Sequence, residues 1–72
     1  MIIKTQNEES IINFDTVRVF YIERRGKNYG ITCDTGRDAG EYSTKEVAKQ
    51  VLKEMSLAHK YNAKIFEMPI YF

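Results

Sequence analysis

The sequence has few of the residues that form disulfides or metal sites, which usually stabilise a small domain. It has one cysteine, Cys33, and one histidine, His59, in 72 residues. A lone cysteine excludes an intrachain disulfide, and one cysteine with one histidine cannot supply the usual ligands of a structural zinc site. A chain of this length forms a single domain, residues 1–72, and buries a modest share of its surface. We therefore expect its stability to come from a well-packed core or from oligomerisation.

Long apolar runs and an excess of charge are also missing. No apolar run approaches the roughly 18–20 residues that span a bilayer. The opening MIIKTQNEES soon becomes polar, unlike a signal peptide. The formal net charge of +1 argues against bulk attraction to nucleic acid or to a membrane surface. Together with the unpaired cysteine, these absences predict a cytoplasmic protein with no membrane partner.

Strand patterns fill the first half of the chain, in five short segments separated by polar or glycine-containing turns. The strongest is VRVFYIER, residues 17–24, which is rich in β-branched and aromatic residues. Its alternation places Tyr21 on one face and Phe20 on the other. Because both faces carry apolar side chains, we expect a central strand that is covered at least partly on both sides. Gly26 marks a hairpin turn to a returning strand over residues 29–33.

The clearest helix follows these strands. Ser43 and Glu46 have the spacing of a capping box, and Thr44 could shift the cap by one residue. Apolar residues then recur at helical spacing in one stripe, formed by Val47, Ala48, Val51, Leu52, Met55 and Ala58. Asn62 is the expected stop. The pattern predicts an α+β domain: a small antiparallel sheet of about five to six short strands packed on one C-terminal amphipathic helix, followed by a final strand.

Four segments of the chain resemble small phage and prophage proteins of Gram-positive bacteria. They are IIKTQ (residues 2–6), IINFD (11–15), GEYSTKEVAKQVL (40–52) and KIFEMP (64–69). The likeness covers most of the chain, but its motifs are structural, and the family has no assigned activity to carry over. The chain departs from the pattern by continuing with IYF after KIFEMP. The resemblance implies the cytosol of a bacterial host during phage infection or lysogeny.

No constellation of residues indicates a reaction. Cys33 shares a strand face with Tyr29 and Ile31, where a free cysteine behaves as a small hydrophobe. His59, in the last turn of the predicted helix, suits the helix dipole. Neither a glycine-rich elbow nor a spaced cluster of acids accompanies them. We therefore expect a non-enzymatic protein without a cofactor or a metal.

The end of the chain, KIFEMPIYF, is nearly all apolar, although most termini are polar and frayed. Pro69 restricts this segment to an edge strand or ends it. We predict a partner or oligomer interface formed by Phe66, Met68, Ile70, Tyr71 and Phe72. Two interpretations remain open, because the last three residues could fold back onto their own core or pack on a second copy or a target protein.

These features lead to one leading hypothesis and two alternatives. The leading hypothesis is an oligomeric phage-type binding protein that engages a host component, such as a defence protein, through its tail and an exposed sheet face. The first alternative is a sponge in which two copies pair to enclose a nucleotide or a signalling dinucleotide, although no phosphate-loop motif is present. Its phosphate ligands would be Arg24, Arg25, Lys27 and Arg37, with Tyr29 stacking on a base. The second alternative is a single-stranded nucleic-acid binder, which the near-neutral charge disfavours.

Overall fold

The structure, a computed structural model that describes residues 1–70, places the strands and the helix in the order that the sequence patterns predict. In chain order the elements are β1 (Ile2–Lys4), β2 (Ile11–Asn13), a 3-10 helix (Phe14–Thr16), β3 (Phe20–Arg25), β4 (Asn28–Cys33), β5 (Asp38–Tyr42), α1 (Lys45–Lys60) and β6 (Ile65–Glu67). The predicted α+β class is confirmed. Within the described residues, no helix has the length and apolar character needed to cross a membrane.

The strands divide into two sheets rather than forming one. The first sheet has the order β2-β1-β6, in which β1 is antiparallel to β2 and parallel to β6. The second sheet has the order β3-β4-β5, and both of its pairings are antiparallel. The parallel pair needs a long crossover connection, which the intervening strands and α1 provide. Strand patterns predict where strands lie but not which strands pair, so the division was not evident from the sequence.

The core lies between the two sheets and the apolar stripe of α1. Its buried apolar side chains are Ile3, Ile12, Ile31, Cys33, Ala39, Tyr42, Ala48, Val51, Met55 and Met68. The helix contributes three of them at helical spacing, and Val47 and Leu52 pack against their border. The predicted stripe is therefore the face that α1 buries.

The two ends of α1 have the capping residues that the sequence predicts, except that the N-cap lies one residue later than the capping box indicates. The N-cap is Thr44, whose Oγ1 accepts a hydrogen bond from the Val47 N–H at 3.2 Å. The capping-box prediction placed the cap at Ser43 and was one residue too early. After the helix, Asn62 adopts a φ of 59°, the left-handed conformation expected of a stop residue.

β3 differs from its prediction in length and in position. It begins at Phe20 rather than at residue 17, and it lies at the edge of its sheet. The prediction of a central strand was therefore wrong. Phe20 and Ile22 pack against the core, but Val19 and Tyr21 are 51% and 44% exposed. Burial among residues 1–70 does not explain the apolar residues on the solvent side of this segment.

The last described residues pack into their own chain. Met68 is 4% exposed, and Phe66 packs against the core. The Met68 N–H donates to the Lys4 carbonyl at 3.0 Å, which continues the pairing of β6 with β1. Of the residues predicted to form an interface, Phe66 and Met68 thus serve the core, and Ile70 is 54% exposed. The rest of that prediction, residues 71–72, lies outside the described part of the chain.

Candidate interaction site at the edge of β3

Edge strands carry outward backbone groups that either bond water or pair with another segment. In the first sheet the edges are β2 and β6, each three residues long, and such short edges offer few groups. In the second sheet the edges are β5 and β3, which are five and six residues long. These two longer edges have different surroundings.

Gln6 closes the edge of β5. Its backbone N–H donates to the Ala39 carbonyl at 2.9 Å, and its Oε1 accepts from the Glu41 N–H at 2.8 Å. A single residue thus pairs with outward groups of β5 as a neighbouring strand would. Its Nε2 also donates to the Pro69 carbonyl at 3.2 Å, which accepts a second bond from the Tyr42 hydroxyl at 2.8 Å. The same side chain therefore holds the segment after β6 in place.

The backbone of β3 faces β4 and the open side of the sheet in alternation. The Val19 carbonyl accepts from the Asp34 N–H at 3.1 Å, so odd-numbered residues direct their backbone groups toward β4. In an antiparallel pair the intervening residues then direct theirs away; they are Phe20, Ile22 and Arg24. Among residues 1–70, no strand pairs with this side of β3, and no group outside the sheet hydrogen-bonds the backbone of these three residues. Within that part of the chain, the edge of β3 is open.

An apolar groove of about 350 Å³ lies beside this edge, between β3, the 3-10 helix and α1. Its apolar lining includes Phe14, Val17, Phe20, Leu52 and Met55. The rings of Phe14 and Phe20 stack with their centroids 5.7 Å apart, and the His59 ring lies 4.7 Å from that of Phe14. A strand added to β3 would therefore meet apolar side chains as well as backbone groups, the combination that recognises extended polypeptides.

The solvent face of the second sheet is organised around Arg25. Its guanidinium lies over Gly30, in the space that any larger side chain there would need. Arg25 pairs with Glu23 at 3.2 Å, with Asp38 at 3.0 Å and with Glu41 at 3.6 Å. Partial burial acts to lower the pKa of Arg25, but the hydrogen bonds and charges of Asp38 and Glu23 outweigh it and raise that pKa. Arg25 is thus held by neighbouring carboxylates.

The structure brings together only some of the residues predicted to bind phosphate. Arg24, Arg25 and Lys27 lie at the hairpin between β3 and β4, whereas Arg37 lies in the turn at the other end of β4. The length of β4, roughly 17 Å, separates the two groups. Tyr29 packs against the core. Phosphate binding remains a prediction, and in a single chain it would have to rely on the hairpin alone.

The open edge escaped the sequence analysis, because the pattern of β3 does not show which strands pair with it. Apolar residues on both faces of VRVFYIER were interpreted as two-sided burial, but they also fit a strand whose edge is covered by a partner. Among residues 1–70, no group of three or more His, Cys, Asp or Glu side chains could hold a metal ion. No family model, curated protein or solved structure matches the chain. The candidate site therefore rests on geometry.

Proposed function

We propose that the protein acts by binding another polypeptide, with the open edge of β3 as its docking site. The contrast between the two long edges carries this proposal. Gln6 pairs with outward groups of β5, whereas the outward groups of Phe20, Ile22 and Arg24 have no partner within residues 1–70. Proteins usually blunt or cover such edges because open ones aggregate. A strand added to β3 would satisfy these groups and place alternate side chains in the groove.

A binding role also suits the two residues with the most reactive side chains. The Cys33 thiol is buried and lies 2.9 Å from the Thr35 hydroxyl, and the His59 ring packs on Phe14. Neither contact is with a group that would activate a nucleophile. A non-enzymatic role is therefore part of the proposal. The resemblance to phage and prophage proteins supports a setting in the bacterial cytosol, where a host protein with an extended segment would be a suitable partner.

The Arg24→Pro variant tests the docking site. Proline removes the outward N–H of residue 24, and edge strands tolerate proline where the N–H faces solvent. Arg24→Ala is the matched control, because it removes the same charge and keeps the N–H. Circular dichroism would establish that both variants fold. Displayed random peptides would be selected on the wild-type protein, and their affinities would then be measured for both variants.

We expect the selected peptides to show alternating apolar residues and to bind Arg24→Ala nearly as tightly as the wild type. Arg24→Pro should lose about tenfold in affinity, because the hydrogen bond that the residue 24 N–H donates to the peptide is lost. If folded Arg24→Pro binds the peptides as tightly as Arg24→Ala, or if no peptide can be selected on a protein that sediments as a monomer, the β3 edge is not a polypeptide-docking site.

A further inference from the structure

We infer that the polypeptide bound at the β3 edge is β3 of a second copy, in an antiparallel pair centred on Ile22. This inference rests on the proposed function, since it names the occupant of that docking site. A two-fold axis at Ile22 makes the contact isologous. It joins two three-stranded sheets into one continuous sheet and places both α1 helices on the same side.

The outward backbone groups of β3 are self-complementary about Ile22. Three residues present them, and Ile22 is the middle one of Phe20, Ile22 and Arg24. With the axis at Ile22, that residue faces the partner's Ile22, and Phe20 faces the partner's Arg24. Each of these pairs exchanges N–H and C=O groups, so all three outward residues of each copy gain hydrogen-bond partners.

The side chains agree with the same register. On the helix side of the sheet, Ile22 meets the partner's Ile22, and the guanidinium of the partner's Arg24 comes beside the Phe20 ring, an attractive pair. On the solvent side, Tyr21 lies opposite the partner's Glu23. The carboxylate of that glutamate can accept a hydrogen bond from the Tyr21 hydroxyl. The exposed Val19 and Tyr21 are then partly covered. No like charges lie directly opposite each other in this arrangement.

Neighbouring registers are disfavoured by charge. One shift, which moves the centre to residue 23, places Glu23 directly opposite the partner's Glu23. The opposite shift, centred on Tyr21, pairs Arg24 with the partner's Arg18, a like-charged residue that lies before β3 and whose N–H already donates to the Asp34 carboxylate. Directly opposed like charges destabilise an antiparallel pair. A slip of the pairing itself by one residue, as opposed to a move of its centre, would turn the core-facing side chains of one strand toward the solvent side. Charge and alternation together thus select the Ile22-centred pair.

Disulfide cross-linking tests both the partner and the register. In this pair, residue 21 lies opposite the partner's residue 23 at a non-hydrogen-bonded position, with Cα atoms about 4.5 Å apart. That separation lies within the range of a disulfide, about 4.4–6.8 Å. Two equivalent residues, 21 with 21 or 23 with 23, are diagonal neighbours at about 7–8 Å and are too far apart. The variants are Tyr21→Cys and Glu23→Cys, examined singly and as an equal mixture after mild oxidation.

We expect the wild-type protein to sediment at twice its chain mass of 8.4 kDa. The mixture should form a covalent dimer, whereas each variant alone should not. Two controls are the wild type, whose Cys33 is buried, and a mixture of Tyr21→Cys with Lys49→Cys on the exposed face of α1. Neither control should cross-link.

Two results would overturn the inference. Cross-linking of Tyr21→Cys alone or of Glu23→Cys alone would show a different register. A wild-type protein that sediments as a monomer, with no cross-link in the mixture, would show that a second copy does not occupy the edge. The peptide selection then separates this failure from that of the proposed function. A monomer that binds peptides through β3 retains the docking site, and a monomer that binds none loses both.

Discussion

Replacement of Gln6 by alanine tests the mechanism that closes one edge of the second sheet. The substitution keeps the backbone N–H bond to Ala39 but removes two side-chain hydrogen bonds, from the Glu41 N–H and to the Pro69 carbonyl. Each such bond contributes about 0.5–1.5 kcal/mol net. The Pro69 carbonyl keeps its bond from the Tyr42 hydroxyl, and the exposed Glu41 is accessible to water. We therefore expect a loss of about 1–2 kcal/mol, the lower part of the summed range.

Such a loss is a large fraction of the stability of a small domain, about 5–15 kcal/mol. It corresponds to a decrease in Tm of about 4–16 °C for a domain of this size, measured by thermal unfolding and circular dichroism. The control is Gln50→Ala on the exposed face of α1, which should not destabilise because alanine is the better helix former. Amide exchange at Glu41 should also accelerate in Gln6→Ala. If the Tm and this exchange rate both stay at wild-type values, Gln6 does not close the edge of β5.

Three further substitutions examine the contact that holds Pro69 and the N-cap of α1. Tyr42→Phe removes the hydroxyl that donates to Pro69, and we expect the free energy of unfolding in urea to fall by about 1 kcal/mol; an unchanged value would show that this bond contributes nothing. Thr44→Ala removes the N-cap of α1 and should cost about 0.5–2 kcal/mol in the same assay. Ser43→Ala should cost much less. A larger loss for Ser43→Ala than for Thr44→Ala would show that Ser43 is the N-cap.

The features predicted correctly from the sequence depend on neighbours along the chain. The helix stripe follows from apolar spacing, and its buried members are Ala48, Val51 and Met55. Gly26 and Asn62 adopt φ values of 60° and 59°, as their residue types favour in a turn and at a helix end. The predicted N-cap was one residue too early because Ser43 and Thr44 are adjacent and both residue types are good caps. Local chemistry does not distinguish them.

The features that escaped prediction depend on residues far apart in the sequence. Gln6 bonds Glu41, 35 positions away, and Pro69, 63 positions away. Nothing in the motif IIKTQ marks its glutamine for this role. The edge position of β3 has the same origin, because it depends on which strands pair and not on the pattern of β3 itself. The candidate site could be located only after the pairing was known.

Amide hydrogen exchange at β3, measured by NMR over a range of protein concentrations, tests the central claim most directly. In dilute solution the N–H groups of Ile22 and Arg24 should exchange faster than those of Tyr21 and Glu23, which face β4. As the concentration rises and copies pair, the Ile22 and Arg24 groups should become protected. Slow exchange at Ile22 and Arg24 in the most dilute sample would show that the edge is already covered within the chain. Fast exchange at every concentration would show that no second copy binds there.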